Sequence, residues 1–472
     1  MVKCNMKKIP DRFNGYLRVN GNEFVYNVSD SVVTMLPAQS DKSKRWDVFQ
    51  NTRSYKCELP EYLFGEYEET QIAFLRKTEF SSRGLGLDLS IQFATPLIIK
   101  AAGNAVGYYG NLTEEWNKFH AITFYGGNIN SLYMPQIAVE PTDMNQYFNN
   151  GARQVKIRPG KEYSHSIELN IDNEKVELTI SVLQSGEMND PIKLEAYNLG
   201  ELNSYIRFSF ENAQDSIKII KYYKIVKSLV AILTKQNNVR FDVYLSQRNS
   251  TKQYFTTAYC KIFDRYENYS MKKNNRVIPL LSIWNGLPNL INKIANDEAE
   301  ILLTILPEDN KMVNKISISN IQDLCTALEV AYNWDSRTRE KDEHITELKK
   351  TIKKSISEFI KNRPEIDVYT QTTVSSAFEY LSYTLKQKII TLYNENQSVI
   401  DLLISKRSLI EMSEENIAAF VKLRNGKTHS GVINWGNSAY LYPALLALLY
   451  VCFFRYIGLD EERIKTVIFN IF

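Results

Sequence analysis

The chain has 472 residues, of which 44% are hydrophobic and 24% charged, a balance typical of folded globular domains. This length leaves room for two or three domains, each with a core of its own. The formal net charge is only +3. A protein that coats nucleic acid along its whole surface has a stronger basic bias, so we expect any contact with nucleic acid to be local.

The cysteines and histidines argue against a metal site or a disulfide framework. The five cysteines are scattered and none forms Cys-x-x-Cys, which favours reduced thiols in a cytosol. None of the four histidines lies in a His-x-x-x-His pattern, and no glycine-rich phosphate loop is present. Residues 1–8 lack the apolar core of a signal peptide. We therefore predict a cytoplasmic protein with no metal and no cofactor.

Residues 1–210 are predicted to form a β-rich, sandwich-like domain. Apolar and polar residues alternate over residues 167–171 and again over residues 176–182, with a short polar turn between them, which is typical of an antiparallel hairpin. Shorter apolar runs lie at residues 24–26, 87–93, 121–125 and 206–210. Several short strands separated by glycine and asparagine turns indicate a sandwich or a strongly curved sheet.

Residues 211–319 are predicted to form a mixed connecting region. Apolar spacing predicts a helix over residues 216–233 and a strand over residues 239–245. The face of the helix opposite its apolar side carries four lysines, Lys218, Lys221, Lys224 and Lys227. This face is either an ordinary solvated surface or a stripe that contacts RNA, and the first interpretation is favoured because charged faces are normal on surface helices.

Residues 320–472 are predicted to form an all-α domain. Helices are predicted, in chain order, at residues 320–332, 345–359, 373–392 and 399–403. Ser413 is a predicted N-cap for the next helix, with Glu414 and Glu415 in the first turn, where the helix dipole favours acids.

A long uncharged run over residues 431–454 closes the domain. One interpretation is a membrane span. The other is a buried helix at the centre of a bundle, with excess apolar surface available for a dimer interface. Polar residues at its start and Pro443 within it favour the buried helix, so we predict no membrane contact.

Three residues within a stretch of six, Arg424, Asn425 and His429, follow the helix that Ser413 begins. RNA can be cut without a metal when its 2′-OH attacks the adjacent phosphate, which gives a cyclic phosphate and a free 5′-OH. This reaction needs an acid or base that titrates near neutral pH, as histidine does, and a cation for the charge on the phosphorane, as arginine provides.

We therefore predict an endoribonuclease site with Arg424 and His429 as catalytic residues. Asn425 would orient His429 or hold a substrate oxygen, and Lys427 adds local positive charge. Arg424 and His429 meet one phosphate if the helix ends or bends between them, and Gly426 permits this.

The spacing alone is a loose pattern. Arg158 with His165 and Arg339 with His344 also fit it, but the third match alone has asparagine directly after the arginine and lies between apolar helices. The alternative for this stretch is structural: Arg424 and His429 cap a helix C-terminus, where cations are favoured.

The stretch from Arg424 to His429 resembles the catalytic motif of the HEPN superfamily, all-α domains whose nuclease members carry Arg, a polar residue and, a few residues later, His. The chain also resembles the ApeA family of anti-phage defence proteins, which have a β-rich N-terminal domain and a C-terminal HEPN domain. That wider resemblance rests on residues 124–130, on Met134-Pro135, and on residues 324–332.

The resemblance implies an α+β protein whose C-terminal HEPN bundle cuts RNA without a metal. It places Arg424 and His429 in the catalytic positions, Asn425 in the polar position, and Glu329 as a supporting acid. It also implies a homodimer or higher homo-oligomer with a composite site, and an N-terminal domain that senses a phage-derived trigger. Gly426 departs from the family pattern and puts the placement of His429 in doubt.

Two other functions stay open on the sequence. The helical domain can be catalytically silent, with the β-rich domain acting as a ligand- or phage-protein-binding module through its aromatic surface. The protein can also be a membrane-associated toxin that acts through residues 439–454.

Overall fold

The chain folds into two compact units, Met1–Lys273 and Asn274–Phe472. The computed structural model describes residues 9–19, 21–38, 43–47, 61–68, 70–76, 80–85, 88–102, 116–139, 158, 160–184, 202–249, 251–264, 277–308, 316–334, 343–363, 365–377, 383–430 and 437–472. Only the backbone is described at residues 80–85, 88–89, 184, 343–346, 371, 374–377, 425–430 and 437.

Within the described residues, the first unit contains one antiparallel sheet of fourteen strands. The strands are β1 (Arg12–Val19), β2 (Asn22–Ser29), β3 (Val32–Pro37), β4 (Tyr62–Tyr67), β5 (Thr70–Leu75), β6 (Phe80–Leu85), β7 (Asp88–Ala94), β8 (Leu97–Ala101), β9 (Phe119–Tyr125), β10 (His165–Ile171), β11 (Glu174–Gln184), β12 (Leu202–Gln214), β13 (Asp242–Arg248) and β14 (Tyr254–Ile262). Their order across the sheet is β10-β11-β12-β9-β13-β14-β8-β5-β4-β1-β2-β3-β7-β6. The prediction of a β-rich N-terminal half is confirmed.

The predicted hairpin is β10 and β11. Ile171 lies opposite Glu174, so the loop has two residues, Asp172 and Asn173, with φ of 52° and 63°. Positive φ at both loop residues is the geometry that matches the twist of the flanking strands, and Asp and Asn tolerate it. Local sequence therefore determined this hairpin.

The part of the sheet from β8 to β7 curves around a core. Ile98 of β8 and Ile91 of β7 belong to one buried cluster with Phe24, Tyr26 and Phe74. Six strand spacings separate β8 from β7 in the sheet order, a distance of about 29 Å in a flat sheet. A common core therefore requires strong curvature, one of the two predicted arrangements.

Residues 126–128, part of the stretch that suggested the ApeA resemblance, form the turn after β9. Gly126 and Gly127 have φ of 69° and 55°, and a Cβ on Gly127 would collide with the carbonyl oxygen of Arg240. The side-chain oxygen of the buried Asn128 accepts a hydrogen bond from the Arg240 backbone N–H at 2.7 Å. The backbone N–H of Asn128 donates to the Arg240 carbonyl at 2.9 Å. These residues therefore have a structural role, since they join β9 to the segment before β13.

Helices in the described part of this unit include residues 43–47, α1 (Ile129–Leu132) and α2 (Ile219–Thr234). The α2 helix packs its Tyr222 against Phe208 and Phe210 of β12. Three of its four predicted surface lysines are paired with carboxylates: Lys218 with Glu174, Lys221 with Asp172, and Lys227 with Asp264. These pairs neutralise most of the face, which supports the solvated surface and not the RNA-contacting stripe.

The observed units differ from the three predicted domains. The predicted boundary at residue 210 falls inside β12, and β13 lies between β9 and β14 in the same sheet. The predicted middle region, 211–319, is shared between the units, because residues 211–273 belong to the first and residues 274–319 to the second. Pairing between strands that are far apart in the sequence sets the boundary between the units, and local composition does not reveal that pairing.

The described part of the second unit is helical. Its helices are α3 (Leu287–Ala295), α4 (Glu300–Thr304), α5 (Ile318–Trp334), α6 (Glu343–Lys361), α7 (Val368–Ala377), α8 (Leu385–Glu395), α9 (Gln397–Arg407), α10 (Glu414–Ser430), α11 (Tyr442–Tyr456) and α12 (Glu461–Ile471). Short 3-10 helices lie in the two units at Pro135–Ala138, Gly160–Glu162, Ser216–Lys218, Leu280–Gly286 and Asn437–Leu441.

The helix predicted over residues 373–392 is instead two helices, α7 and α8. Thr384 begins α8 with a capping box, in which its hydroxyl accepts from the Gln387 N–H and the Gln387 side chain accepts from the Thr384 N–H. This reciprocal pairing satisfies two backbone donors and makes Thr384 a start signal. Ser413 caps α10 as predicted, because its hydroxyl accepts from the Asn416 N–H at 3.2 Å.

Four of these helices form a bundle. The α5 helix packs against α8, α10 and α11, and α8 also packs against α10 and α11. The predicted uncharged helix is α11, and Pro443 is tolerated there because it lies in the first turn. Residues 431–436 lie outside the described residues.

Among the described residues, Ser438–Tyr456 is one helical stretch apolar enough to cross a membrane, with a mean hydropathy of 1.4. Within the protein 61% of that stretch is buried. This burial fits the predicted core helix of a bundle and not a membrane span.

Candidate active site

The predicted catalytic stretch lies on α10. The apolar side of this helix buries Ile417 and Phe420 completely. Arg424 follows Phe420 by four residues and therefore lies on the same side of the helix. A guanidinium at the end of a buried apolar stripe needs a counter-ion, because burying an unpaired charge is costly.

Glu329 of α5 supplies that counter-ion. Its carboxylate lies 3.6 Å from Nη2 of Arg424 and 3.9 Å from Nζ of Lys388 on α8. The three side chains are about one third exposed or less: 33% for Arg424, 31% for Glu329 and 16% for Lys388. Two cations around one carboxylate leave a local charge of +1 at a partly exposed position on the bundle, which suits a phosphate.

Asn425, Lys427 and His429 stand on the same helix. Their backbone is described, and α10 continues through all three to Ser430. Their side chains lie outside the described residues. The structure therefore brings together Arg424 and Glu329 of the predicted site, and it places the other three on a shared helical backbone.

Gly426 does not end the helix. The sequence allowed a break or bend between Arg424 and His429, but α10 is helical across this position. One glycine within a helix costs about 1 kcal/mol relative to alanine, which the packing of α10 against α5 and α8 is able to offset.

The continuous helix fixes the spacing of the two catalytic positions. Residues 424 and 429 are five apart, which corresponds to about 140° around the helix axis. Positions 425 and 429 are four apart and share one side. Arg424 lies six residues before the end of α10, so it does not cap the C-terminus, whereas position 429 lies in the last turn, where the structural alternative places a cation.

Cys325 lies one turn before Glu329 on α5 and is completely buried. Burial raises the pKa of this thiol to about 12, with Glu329 raising and the charge of Arg424 lowering it by smaller amounts. A thiol with this pKa is neutral near pH 7, so Cys325 is not a nucleophile at this site.

Sequence reasoning missed Lys388. It lies three residues after the buried Leu385 and four before the buried Leu392, so it points along the apolar side of α8. A lysine on the apolar side of a predicted helix is the sequence signal that identifies Lys388 as a candidate site residue. Its Nζ also lies 5.9 Å from the ring of Tyr332, which follows Glu329 on α5.

Of the two other arginine–histidine matches, one lies in the first unit and the other falls largely outside the described residues. His165 opens β10 in the first unit, with its ring 6.0 Å from that of Tyr133. Arg339 lies outside the described residues, and only the backbone of His344 is described, in α6.

A second concave feature lies on the first unit. A groove of about 610 Å³ is lined by aromatic rings from three parts of the chain, Tyr16, Phe64 and Trp116, and by Arg18, Glu23, Glu66 and Gln71. Tyr16 and Phe64 are 63% and 47% exposed. Arg18 is already paired with Glu23 at 2.6 Å, so the carboxylate of Glu66 gives the groove a net negative charge.

Among the described residues, no group of three or more His, Cys, Asp or Glu is placed to hold a metal ion. No protein-family model matches the chain, and comparisons with curated proteins and with solved structures found no match.

Proposed function

We propose that this protein is a metal-independent HEPN endoribonuclease that acts in anti-phage defence. The observation that carries the proposal is the position of Arg424. It extends the buried stripe of α10, pairs with Glu329 across a helical bundle, and shares its helix with Asn425 and His429. A partly exposed cation at a bundle surface, with a histidine position on the same helix, supplies the two kinds of group that RNA cleavage needs.

The proposed reaction is transesterification. The 2′-oxygen of the ribose attacks the phosphorus while its proton passes to a base, and the bond from phosphorus to the 5′-oxygen breaks as that oxygen gains a proton. His429 is the acid or base, and the guanidinium of Arg424 stabilises the phosphorane. Glu329 and Asn425 position these groups, and Lys427 adds positive charge. The products are a 2′,3′-cyclic phosphate and a 5′-OH.

The site is proposed to form between two copies of the chain. Positions 424 and 429 lie about 140° apart on one helix, so a single α10 does not direct both toward one point. A second protomer in a homodimer, or in a higher homo-oligomer, supplies the other half. The first unit is the sensor for a phage-derived trigger, and the protein is cytoplasmic.

RNA ends provide the test of this proposal. The protein is expressed in bacteria with and without phage infection, and cellular RNA is sequenced by a method that captures 5′-OH ends. The purified protein is also incubated with RNA in EDTA. We expect new 5′-OH ends that depend on the protein and cleavage that persists in EDTA. New ends that carry 5′-phosphate, or RNA identical to that of cells lacking the protein under both conditions, would overturn the proposal.

A second candidate function is a binding module, and the groove of the first unit favours it. The aromatic rings of Tyr16 and Phe64 are exposed beside Glu66 and Gln71, and Tyr16 lies opposite Glu66 in the strand register. Sugar rings stack their C–H faces on aromatic rings and donate hydroxyl hydrogen bonds to carboxylate and amide oxygens. The negative charge disfavours phosphate ligands, so we propose a carbohydrate.

Binding to an array of oligosaccharides measures this second function. We expect the wild-type protein to bind, and replacement of both Tyr16 and Phe64 by alanine to weaken binding at least 10-fold. The matched control replaces Tyr369 and Tyr440 of the second unit, two aromatic residues that are 82% and 65% exposed. The idea fails when no oligosaccharide is bound, or when both double variants bind as the wild type does.

A further inference from the structure

Most of the α6 helix and the two residues after it carry a local concentration of positive charge. Residues 347–363 contain two acids and six cations, Lys349, Lys350, Lys353, Lys354, Lys361 and Arg363. Their net charge is +4, whereas the whole chain has a formal charge of +3. The chain outside this segment is slightly acidic overall, and α6 is one of the segments where a local contact with nucleic acid is expected.

These lysines differ from those of α2 in their partners. Two lysines of α2, Lys221 and Lys227, and its N-cap Lys218 are paired with carboxylates of the surrounding strands and loops. Within the described part of the chain, no carboxylate pairs with Lys349, Lys350, Lys354 or Lys361. Lys350, Lys354 and Lys361 are exposed and Lys349 is partly exposed. No described carboxylate therefore neutralises the charge of these four lysines.

The lysines also share one side of the helix. On an α-helix, Lys349, Lys350, Lys353, Lys354 and Lys361 fall within an arc of about 140° and a length of about 18 Å. We name these five residues the lysine face. A row of cations of this length matches a polyanion with regularly spaced charges better than it matches a single small anion.

We propose that the lysine face of α6 binds the phosphate backbone of the RNA substrate. This inference rests on the proposed ribonuclease function, because it gives the substrate of that site an anchoring surface in the same unit. Contacts of this kind hold the backbone without reading the sequence. Their strength falls as salt rises, because each neutralised phosphate releases counterions.

An anionic membrane is the competing partner for a basic amphipathic helix. Such a helix buries its apolar side in the lipid, so that side must be open. On α6, Ile352, Ile356 and Ile360 are partly buried, and the ring of Phe359 lies 4.6 Å from the guanidinium of Arg363. The α7 helix packs against α6. Leu348 and Phe359 of α6 are 52% exposed, so the apolar side is accessible as well. RNA is preferred because the site proposed in the same unit acts on RNA, and the vesicle arm of the test below separates the two partners.

Binding of a single-stranded 2′-O-methyl RNA oligonucleotide tests the proposal separately from cleavage, because this probe has no 2′-OH to attack. The test variant replaces Lys349, Lys350, Lys354 and Lys361 by glutamine, which keeps helix propensity. We expect weaker binding at low salt, and a decrease of about 3 in the slope of log affinity against log salt concentration, at about 0.7 for each single-strand phosphate contact.

The matched control removes the same charge from the first unit, by glutamine at the exposed Lys161, Lys175, Lys224 and Lys252. An equal loss of affinity in the control, or an unchanged salt slope in the test variant, would overturn the proposal. The proposal would also be overturned if binding to phosphatidylserine vesicles depends on these lysines and binding to RNA does not. If the lysine face binds the probe but the wild type never cuts unmodified RNA, the ribonuclease proposal fails and the RNA-binding surface stands.

Discussion

Replacement of His429 by alanine is expected to lower the rate of RNA cleavage by about 10²- to 10⁴-fold, the usual contribution of a general acid or base. The fold should persist, because position 429 lies in the last turn of α10 and alanine is the stronger helix former. The measurement is the rate at which 5′-OH ends appear on a defined RNA, together with the circular dichroism of both proteins.

The chain offers a matched control for this variant in His165. It follows an arginine at a similar spacing, but it lies on β10 in the first unit, with its ring near Tyr133. We expect His165→Ala to cleave RNA at the wild-type rate. Equal cleavage by the wild type and His429→Ala would remove His429 from the mechanism, and an equal loss in His165→Ala would attribute the effect to folding.

Features determined by neighbouring residues were predictable from the sequence. The hairpin of β10 and β11 follows from strict alternation and from two residues, Asp172 and Asn173, that accept positive φ. The start of α10 follows from Ser413 and the acids behind it. In each case the relevant hydrogen bonds join residues within a few positions, so the pattern contains the necessary information.

Features determined by distant partners were not predictable in the same way. The sequence located the strand β13 approximately, but it did not reveal that β13 pairs with β9, more than one hundred residues earlier. That pairing extends the first unit to Lys273 and divides the predicted middle region. The order of strands in a sheet depends on which edges meet, and alternation of residue types does not specify this.

The candidate site also combines residues that the sequence identified with one that depends on packing between helices. Arg424 was identified from its place at the end of an apolar run, but the structure places it within α10, which continues to Ser430. Glu329 came from a family resemblance, and the structure places it 3.6 Å from Arg424. Lys388 was missed, because its role depends on how α8 and α5 pack. The charge balance of the site is therefore a property of the bundle and not of the motif.

Replacement of Arg424 by lysine is expected to lower RNA cleavage at least about 10²-fold with little change in stability. Lysine keeps the positive charge beside Glu329, but it loses the planar fork that binds two phosphate oxygens at once. A partly exposed ion pair contributes at most about 1 kcal/mol, so the free energy of unfolding should change by less than that. Chemical denaturation and the cleavage rate are measured on the same preparation.

Arg455 on α11 provides the control, because it forms a comparable ion pair in the same unit. Its Nη2 lies 3.3 Å from Glu461, and its side chain is 36% exposed, close to the 33% of Arg424. Arg455→Lys should leave both cleavage and stability near the wild-type values. If Arg424→Lys behaves in the same way, the pair with Glu329 serves only to hold α10 against α5. A selective loss of cleavage in Arg424→Lys instead assigns the guanidinium a role in cleavage, because both substitutions keep the positive charge.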